Sequence, residues 1–362
     1  MRVLYDHQVF SLQAAGGISR YFIELAKQLS QGQSWVPQFL LGIDGRLSNE
    51  PDMRGVSIWR CANVELPPGR AKYFLNEGLS NGYAAVHRKV DVYHPTLHRA
   101  MPLVSYRKMV VTLYDCIQER YANLYRNSEQ LRRWRGKLFQ RADAIICISE
   151  STRADLHHFY NVDDRKTCVI HLGVTQLPAF QDTPAVIGAD RPYLLYVGSR
   201  APYKNFMGML RAFRRTGLAQ DIRIAVAGGG PFGPEERNEA EELGPGVVIH
   251  VKAPSNAELA RLYAHAHALV YPSLYEGFGL PPLEAMQFKI PVLVARGPAT
   301  TEICGDGAVY FDPADEDSFV AGLKSICLDP EMRREAAIRG FAQQSRYSWA
   351  RCARETITVY ER

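Results

Sequence analysis

The chain runs to 362 residues, of which 46% are hydrophobic and 22% charged. This usage excludes disordered, collagenous and coiled-coil proteins, and the length exceeds what one core ordinarily serves, so two domains with a cleft are expected. Net charge is +5, but residues 1–180 carry 23 Lys and Arg against 16 Asp and Glu while residues 181–362 carry 20 against 22, so the basic excess belongs to the first half. The seven cysteines are scattered, with no C-x-x-C pair. That argues against a disulfide framework or structural zinc and for a reducing cytoplasm. Asp6 interrupts the amino-terminal apolar residues, and no run approaches the roughly 18–20 apolar residues of a membrane span, so neither export nor membrane insertion is expected.

In chain order, apolar or β-branched runs at 3–5, 38–43, 90–93, 109–113, 144–148 and 168–171 alternate with helical patterns, which predicts parallel βαβ units. The first helix is expected to start at Gly16-Gly17, because Ile18, Phe22, Leu25 and Leu29 then form one apolar stripe. Residues 120–141 interleave Arg120, Arg126, Arg132, Arg133, Arg135, Lys137 and Arg141 with Tyr121, Tyr125, Trp134 and Phe139. Such a run is a solvated helix face or a surface for an anionic partner, and the mild overall charge speaks against nucleic acid. Periodicity lapses between Gly173 and Pro192, which places a domain boundary at 178/179. A second series follows, with strands at 193–197, 222–227, 247–251, 268–271, 292–295 and 309–311 and helices at 206–215, 258–267 and 283–288. The tail 331–362 reads as helix throughout, and its last part, 346–362, is long enough to cross back to the first domain. The predicted fold class is α/β: two Rossmann-like doubly wound domains, 1–178 and 179–345, facing a central cleft. In such sheets ligands sit at the carboxyl ends of the strands, which makes His94, His98, Tyr114 and Asp115 candidates in the first domain.

Several motifs are weighed and set aside. Gly228 to Gly233 contains G-x-G-x-x-G after a strand, but Pro231 and Pro234 disturb the turn, and the next strand, 247–251, is followed by Lys252 where a dinucleotide site wants an acid. Close backbone approach at a turn explains the glycines better. His94 and His98, four apart, are interrupted by Pro95 and have no third ligand nearby, so no metal is expected there. Asp315-Glu316-Asp317 reads as a helix cap.

The informative stretch is Tyr271 to Met286. Glu276 and Glu284, eight apart, flank a loop that Gly277, Gly279, Pro281 and Pro282 keep irregular, with Glu284 expected in the first turn of the next helix. Backbone N–H groups around Gly277, Phe278, Gly279 and Leu280 suit an anion such as a phosphate, and carboxylates suit sugar hydroxyls.

Glu276 through Glu284, in the wording Pro-Ser-Leu-Tyr-Glu-Gly-Phe-Gly-Leu-Pro, resembles the E-x7-E element of the retaining GT-B glycosyltransferases of family 4. Tyr5-Asp6-His7-Gln8-Val9-Phe10 leading to Gly16-Gly17-Ile18-Ser19-Arg20 is similar to the opening of bacterial members that build O-antigen, capsule or exopolysaccharide, several of them mannosyltransferases. Arg200 and Lys204 resemble the family's cation pair after the first strand of the donor domain. The chain departs from the family at Tyr114-Asp115, where relatives place His-Asp, and at Phe288-Lys289, where they place a small residue and Gly. The resemblance implies a metal-independent enzyme in which Arg200, Lys204 and Gly17 face the leaving diphosphate. Glu276 with residues 277–280 would contact the transferred sugar, and Glu284 the ribose. It further implies a nucleotide-sugar donor, GDP-mannose above all, and a glycan or polyprenyl-diphosphate acceptor. Strand-end position puts His94, His98, Tyr114 and Asp115 on the acceptor side, and the basic stretch 120–141 with the first-half charge excess suits an anionic membrane surface. A UDP-sugar donor, a GT-B sugar-nucleotide epimerase and a silent sugar-nucleotide sensor stand as alternatives.

Overall fold

The computed structural model describes the chain except residues 14–15, 33, 46, 48–49, 51–52, 87–89, 100–103, 178–186 and 188–189. It divides into two compact units, Met1–Gly173 with Tyr347–Arg362, and Val174–Arg346. The boundary expected at 178/179 lies outside the described residues.

In the first unit the strands β1 (Arg2–Tyr5), β2 (Val36–Ile43), β3 (Ser57–Ala62), β4 (Val90–His94), β5 (Tyr106–Leu113), β6 (Ala144–Cys147) and β7 (Thr167–Val169) form one parallel sheet in the order β3-β2-β1-β4-β5-β6-β7. The order reverses between β1 and β4, which creates a crevice at their carboxyl ends. The helix Gly17–Gln31 begins at the glycine pair as expected and buries Tyr21, Phe22, Leu25 and Leu29. A short helix, Gln8–Leu12, precedes it.

The tail is not one helix. Pro330–Gln344 and Trp349–Glu361 are separate, and the Ser348 hydroxyl opens the second by accepting the Arg351 N–H. The interruption falls where the chain passes from the second unit back to the first. There Trp349, Cys352, Thr356 and Tyr360 are buried, and the Tyr360 hydroxyl meets His94 Nδ1 at 2.7 Å and the Tyr5 hydroxyl at 3.2 Å.

In the second unit β8 (Tyr193–Val197), β9 (Arg223–Ala227), β10 (Val248–Val251), β11 (Ala268–Tyr271), β12 (Val292–Ala295) and β13 (Val309–Phe311) form a parallel sheet ordered β10-β9-β8-β11-β12-β13. Its core gathers Leu194, Tyr196, Phe206, Phe213, Leu293, Phe311 and Phe319 between sheet and helices. Here the reversal lies between β8 and β11, so the loops following Val197 and Tyr271 open side by side.

Candidate active site

Those two loops are fastened together. After β8 the chain makes a single tight turn at Pro202–Lys204, and Asn205 adopts a left-handed conformation that starts the helix Phe206–Thr216. The Leu274 N–H, in the loop after β11, donates to the Tyr203 carbonyl at 2.8 Å. Beside it Lys204 Nζ lies 2.5 Å from Glu276 Oε1, with the side chains only 17% and 9% exposed. The ammonium also sits 5.4 Å from the Tyr203 ring and 5.7 Å from the Tyr271 ring. Burial, and then the Glu276 carboxylate hydrogen-bonded to it, hold the Tyr271 phenol well above its ordinary pKa. The result is a cation and a carboxylate, both largely withdrawn from water, at the position where an open α/β sheet binds its ligand.

Arg200 belongs to the same β8 loop. Its Nε donates to Glu236 at 2.8 Å, and its terminal nitrogens donate to the carbonyls of Gly228 (3.1 Å), Gly230 (2.5 Å) and Pro231 (3.1 Å). Glu236 is itself held, accepting the Gly233 N–H at 2.7 Å, and the guanidinium lies 4.8 Å from the Phe232 ring. The triple glycine is therefore a bed for a guanidinium. Gly229 has φ +71°, and a Cβ there would come within 2.5 Å of Arg200 Nη1. The bonds named leave one N–H of Nη1.

The helix expected from 283 begins earlier, as Leu280–Gln287, with Gly279 at φ +112° ahead of it. Glu284 is thus its fifth residue and not in the first turn, which corrects the sequence reading: two successive prolines, whose fixed φ suits the first turn, extend the helix toward the loop. They also remove two N–H groups from the helix start, so fewer amides are offered to an anion than the sequence suggested. Glu284 is 5% exposed, and the Tyr263 hydroxyl, from the helix Asn256–His265, donates to its Oε2 at 2.9 Å. Gly277, Phe278 and Gly279 are buried between the two glutamates. At the other end of this helix Lys289 takes a left-handed φ of +55°, a position that favours glycine, with its ammonium 4.8 Å from the Phe341 ring.

Gly16 and Gly17 lie in the first unit, where the Gly16 carbonyl accepts the Ser19 hydroxyl at 3.0 Å. His94, expected on the acceptor side, is a core residue instead. It is fully buried, with Nδ1 on the Tyr360 hydroxyl and Nε2 on the Thr112 hydroxyl at 2.8 Å, so it presents no face to a substrate. Burial lowers its pKa to about 3 and keeps it neutral. His98 Nε2 contacts the Thr112 carbonyl at 2.8 Å, and its ring stacks on Tyr114. Tyr114 is 8% exposed and donates to the Thr96 carbonyl at 3.4 Å, while the Asp115 carboxylate accepts the Ile117 N–H. The β1/β4 crevice is organised by Asp6, which the sequence reading placed in the opening motif but did not take as a site residue. Asp6 accepts the Thr96 N–H (3.1 Å) and hydroxyl (2.6 Å), the Gln8 side chain (2.6 Å) and the Tyr93 hydroxyl (2.7 Å). Its place immediately after β1 was the available signal.

The basic stretch 120–141 divides. Arg135 is buried in a two-pronged pair with Glu119, at 2.7 and 2.8 Å, and Arg120 pairs with Asp155, so both serve packing. Arg126, Trp134, Lys137 and Arg141 remain exposed. Among the described residues no helix is long and apolar enough to cross a membrane, and no cluster of three or more His, Cys, Asp or Glu could hold a metal ion. Asp315 caps its helix through the Asp317 N–H, and Glu316 and Asp317 pair with Arg215.

Comparison with known proteins accords with this geometry. The family described as Glycosyl transferases group 1 matches residues 180–343, and Glycosyltransferase Family 4 matches residues 15–175. O-antigen chain mannosyltransferase B of Escherichia coli is 27% identical over 95% of this chain and 96% of its own. Among solved structures, sucrose-phosphate synthase from Thermosynechococcus elongatus superposes with a TM-score of 0.75 at 20% identity, covering 99% of this chain and 98% of its own. Anabaena HepE in complex with UDP and glucose does so with 0.75 at 16%, covering 100% and 99%. With one family matching each sheet and the same two-sheet fold throughout, the chain belongs to the family 4 glycosyltransferases and has the GT-B fold.

Proposed function

We propose that the protein transfers a hexose, mannose from GDP-mannose, to a hydroxyl of a growing surface-polysaccharide glycan carried on a lipid diphosphate. The observation that carries this reading is the Lys204–Glu276 bridge across the β8/β11 switch point, which sets a cation for phosphate and a carboxylate for sugar hydroxyls in one place. The relative named as an O-antigen chain mannosyltransferase, matched over nearly its whole length, supports the sugar and the acceptor class.

In this mechanism the bond from the anomeric carbon to the diphosphate oxygen breaks as the acceptor oxygen bonds to that carbon, and the acceptor proton passes to the departing phosphate oxygen. Attack on the face the leaving group vacates retains configuration. Negative charge grows on the diphosphate, and a pre-set ammonium and guanidinium lower the barrier because they need not reorganise as it does so. Lys204 and Arg200 supply them without a metal. Glu276 and the backbone of Gly277, Phe278, Gly279 and Leu280 hold the sugar, while Glu284 holds the ribose. Exposed Arg126, Trp134, Lys137 and Arg141 rest on the anionic inner face of the cytoplasmic membrane, where lipid-linked acceptors lie.

The test is binding and slow hydrolysis across GDP-, UDP-, ADP- and dTDP-sugars in the presence of a chelator. Selective action on GDP-mannose is expected. Preference for a UDP-sugar overturns the donor assignment, activity only with a divalent ion overturns the metal-free mechanism, and conversion of the donor sugar without any acceptor means an epimerase. Failure to sediment with anionic vesicles at low salt removes the membrane part.

A further inference from the structure

Because all strands of the first unit's sheet are parallel, their amino ends share one pole, opposite the crevice at β1 and β4. At that pole the starts of β5, β6 and β7 and the end of the helix Trp349–Glu361 enclose a recess of about 410 Å3. Arg107, Lys108, Lys166 and Arg362 line it, together with Arg165, which is paired with Asp163 outside the recess.

Two carboxylates also line the recess, and both are engaged elsewhere. Asp143 accepts the Met109 N–H at 2.7 Å, and Glu361 accepts the Trp35 indole N–H at 3.4 Å. Among the described residues neither lies within 4.0 Å of a lining cation, and Arg107, Lys108, Lys166 and Arg362 form no ion pair at all. Lys108 gives one proton to the Val359 carbonyl at 2.5 Å, and Lys166 gives two, to the carbonyls of Gln140 and Ala142. Lys108 thus keeps two donors for a ligand and Lys166 one. Burial pushes the Lys108 pKa below the usual lysine range; Asp143 opposes the shift, and Arg107 and Arg362 add to it. Four cations gathered around one concavity repel one another and focus a positive field into it, and a bound anion relieves that repulsion.

We propose that this recess is a binding site for a phosphate-bearing anion, distinct from the donor loops. Phosphate fits because its several oxygens can take the arginine forks and the lysine donors together. Since Lys108 sits on β5 and Arg362 follows the last helix, an occupant would tie that helix to the sheet. A soluble phosphorylated metabolite and an anionic lipid headgroup offer the same chemistry.

The test titrates the whole chain calorimetrically with sodium pyrophosphate at fixed ionic strength, in a Lys204→Ala background so that the donor loop does not contribute. Arg107→Gln, at an exposed residue whose side chain forms no hydrogen bond or ion pair among the described residues, and Arg107→Gln/Lys166→Gln are compared in that background, with the thermal midpoint as a check on folding. Losing charge-assisted contacts should weaken binding by about tenfold or more. In parallel, cosedimentation is measured with phosphatidylcholine vesicles containing phosphatidylglycerol. Weaker pyrophosphate binding with unchanged sedimentation assigns the recess to a soluble anion, and reduced sedimentation assigns it to a headgroup. Unchanged values in both assays, or no heat at millimolar pyrophosphate and no sedimentation, overturn the proposal.

Discussion

Removing one oxygen from Tyr263 isolates the support of Glu284. In Tyr263→Phe the ring keeps its place beside Phe288, 5.7 Å away and nearly parallel, so packing is retained while the 2.9 Å donation to Oε2 is lost. A hydrogen bond to a charged group contributes about 1.5–3 kcal/mol, and the cost belongs at that scale here because the carboxylate is 5% exposed and water replaces the hydroxyl poorly. For a unit of this size, a loss of about 2 kcal/mol lowers the melting midpoint by about 4–8 °C. Calorimetry of the wild type, Tyr263→Phe, Glu284→Gln and the double variant gives the coupling directly, and donor KM should rise severalfold with kcat held if Glu284 grips the ribose. A single variant melting with the wild type, or a coupling below about 0.5 kcal/mol, refutes the reasoning about this pair.

Lys204→Ala and Glu276→Ala should each lower turnover by about a hundredfold while circular dichroism stays native, since each withdraws preset charge from the reacting centre. Gly229→Ala should destabilise the second unit by about 1–2 kcal/mol in denaturant unfolding, because the left-handed φ must be held by a residue with a Cβ and the guanidinium of Arg200 must give way. The buried His94 makes the first unit acid-sensitive. Its folded pKa, about 3, lies below the ordinary 6.5, so the unfolded chain binds the proton first. Its contribution is complete above pH 6.5 and falls as pH drops toward 3, by about 2 kcal/mol at pH 5. His94→Gln should flatten that part of the stability profile measured between pH 7.5 and 5.

Strands buried on both faces were the most legible elements. Residues 193–197, 268–271 and 292–295 have the ends read from their apolar runs, because a parallel sheet covered by helices leaves nothing else to alternate with. β3 went unread for the converse reason. It lies at the edge, exposed at Ser57 and Cys61 and partly buried between, and Arg60 breaks any apolar signal. In the site, Glu276 and Glu284 were visible through their spacing around a glycine- and proline-rich loop, and Arg200 and Lys204 through the family resemblance. Tyr263 and Glu236, which hold Glu284 and Arg200, come from other elements and carry no local signature. His94 shows the limit most clearly: its place at a strand end was readable, but the hydroxyl that covers it comes from Tyr360, 266 residues later.

The return of residues 347–362 to the first unit sets an order of assembly. Residues 174–346 emerge from the ribosome as one uninterrupted block and can close as soon as they are out. The 173 residues made before them cannot, since Trp349, Thr356 and Tyr360 fill the space beside Tyr5, Tyr21 and His94. At about 5–20 residues per second the first-made sheet waits on the order of 10 to 35 s with that apolar surface uncovered. The unit synthesised first is thus the last to be finished.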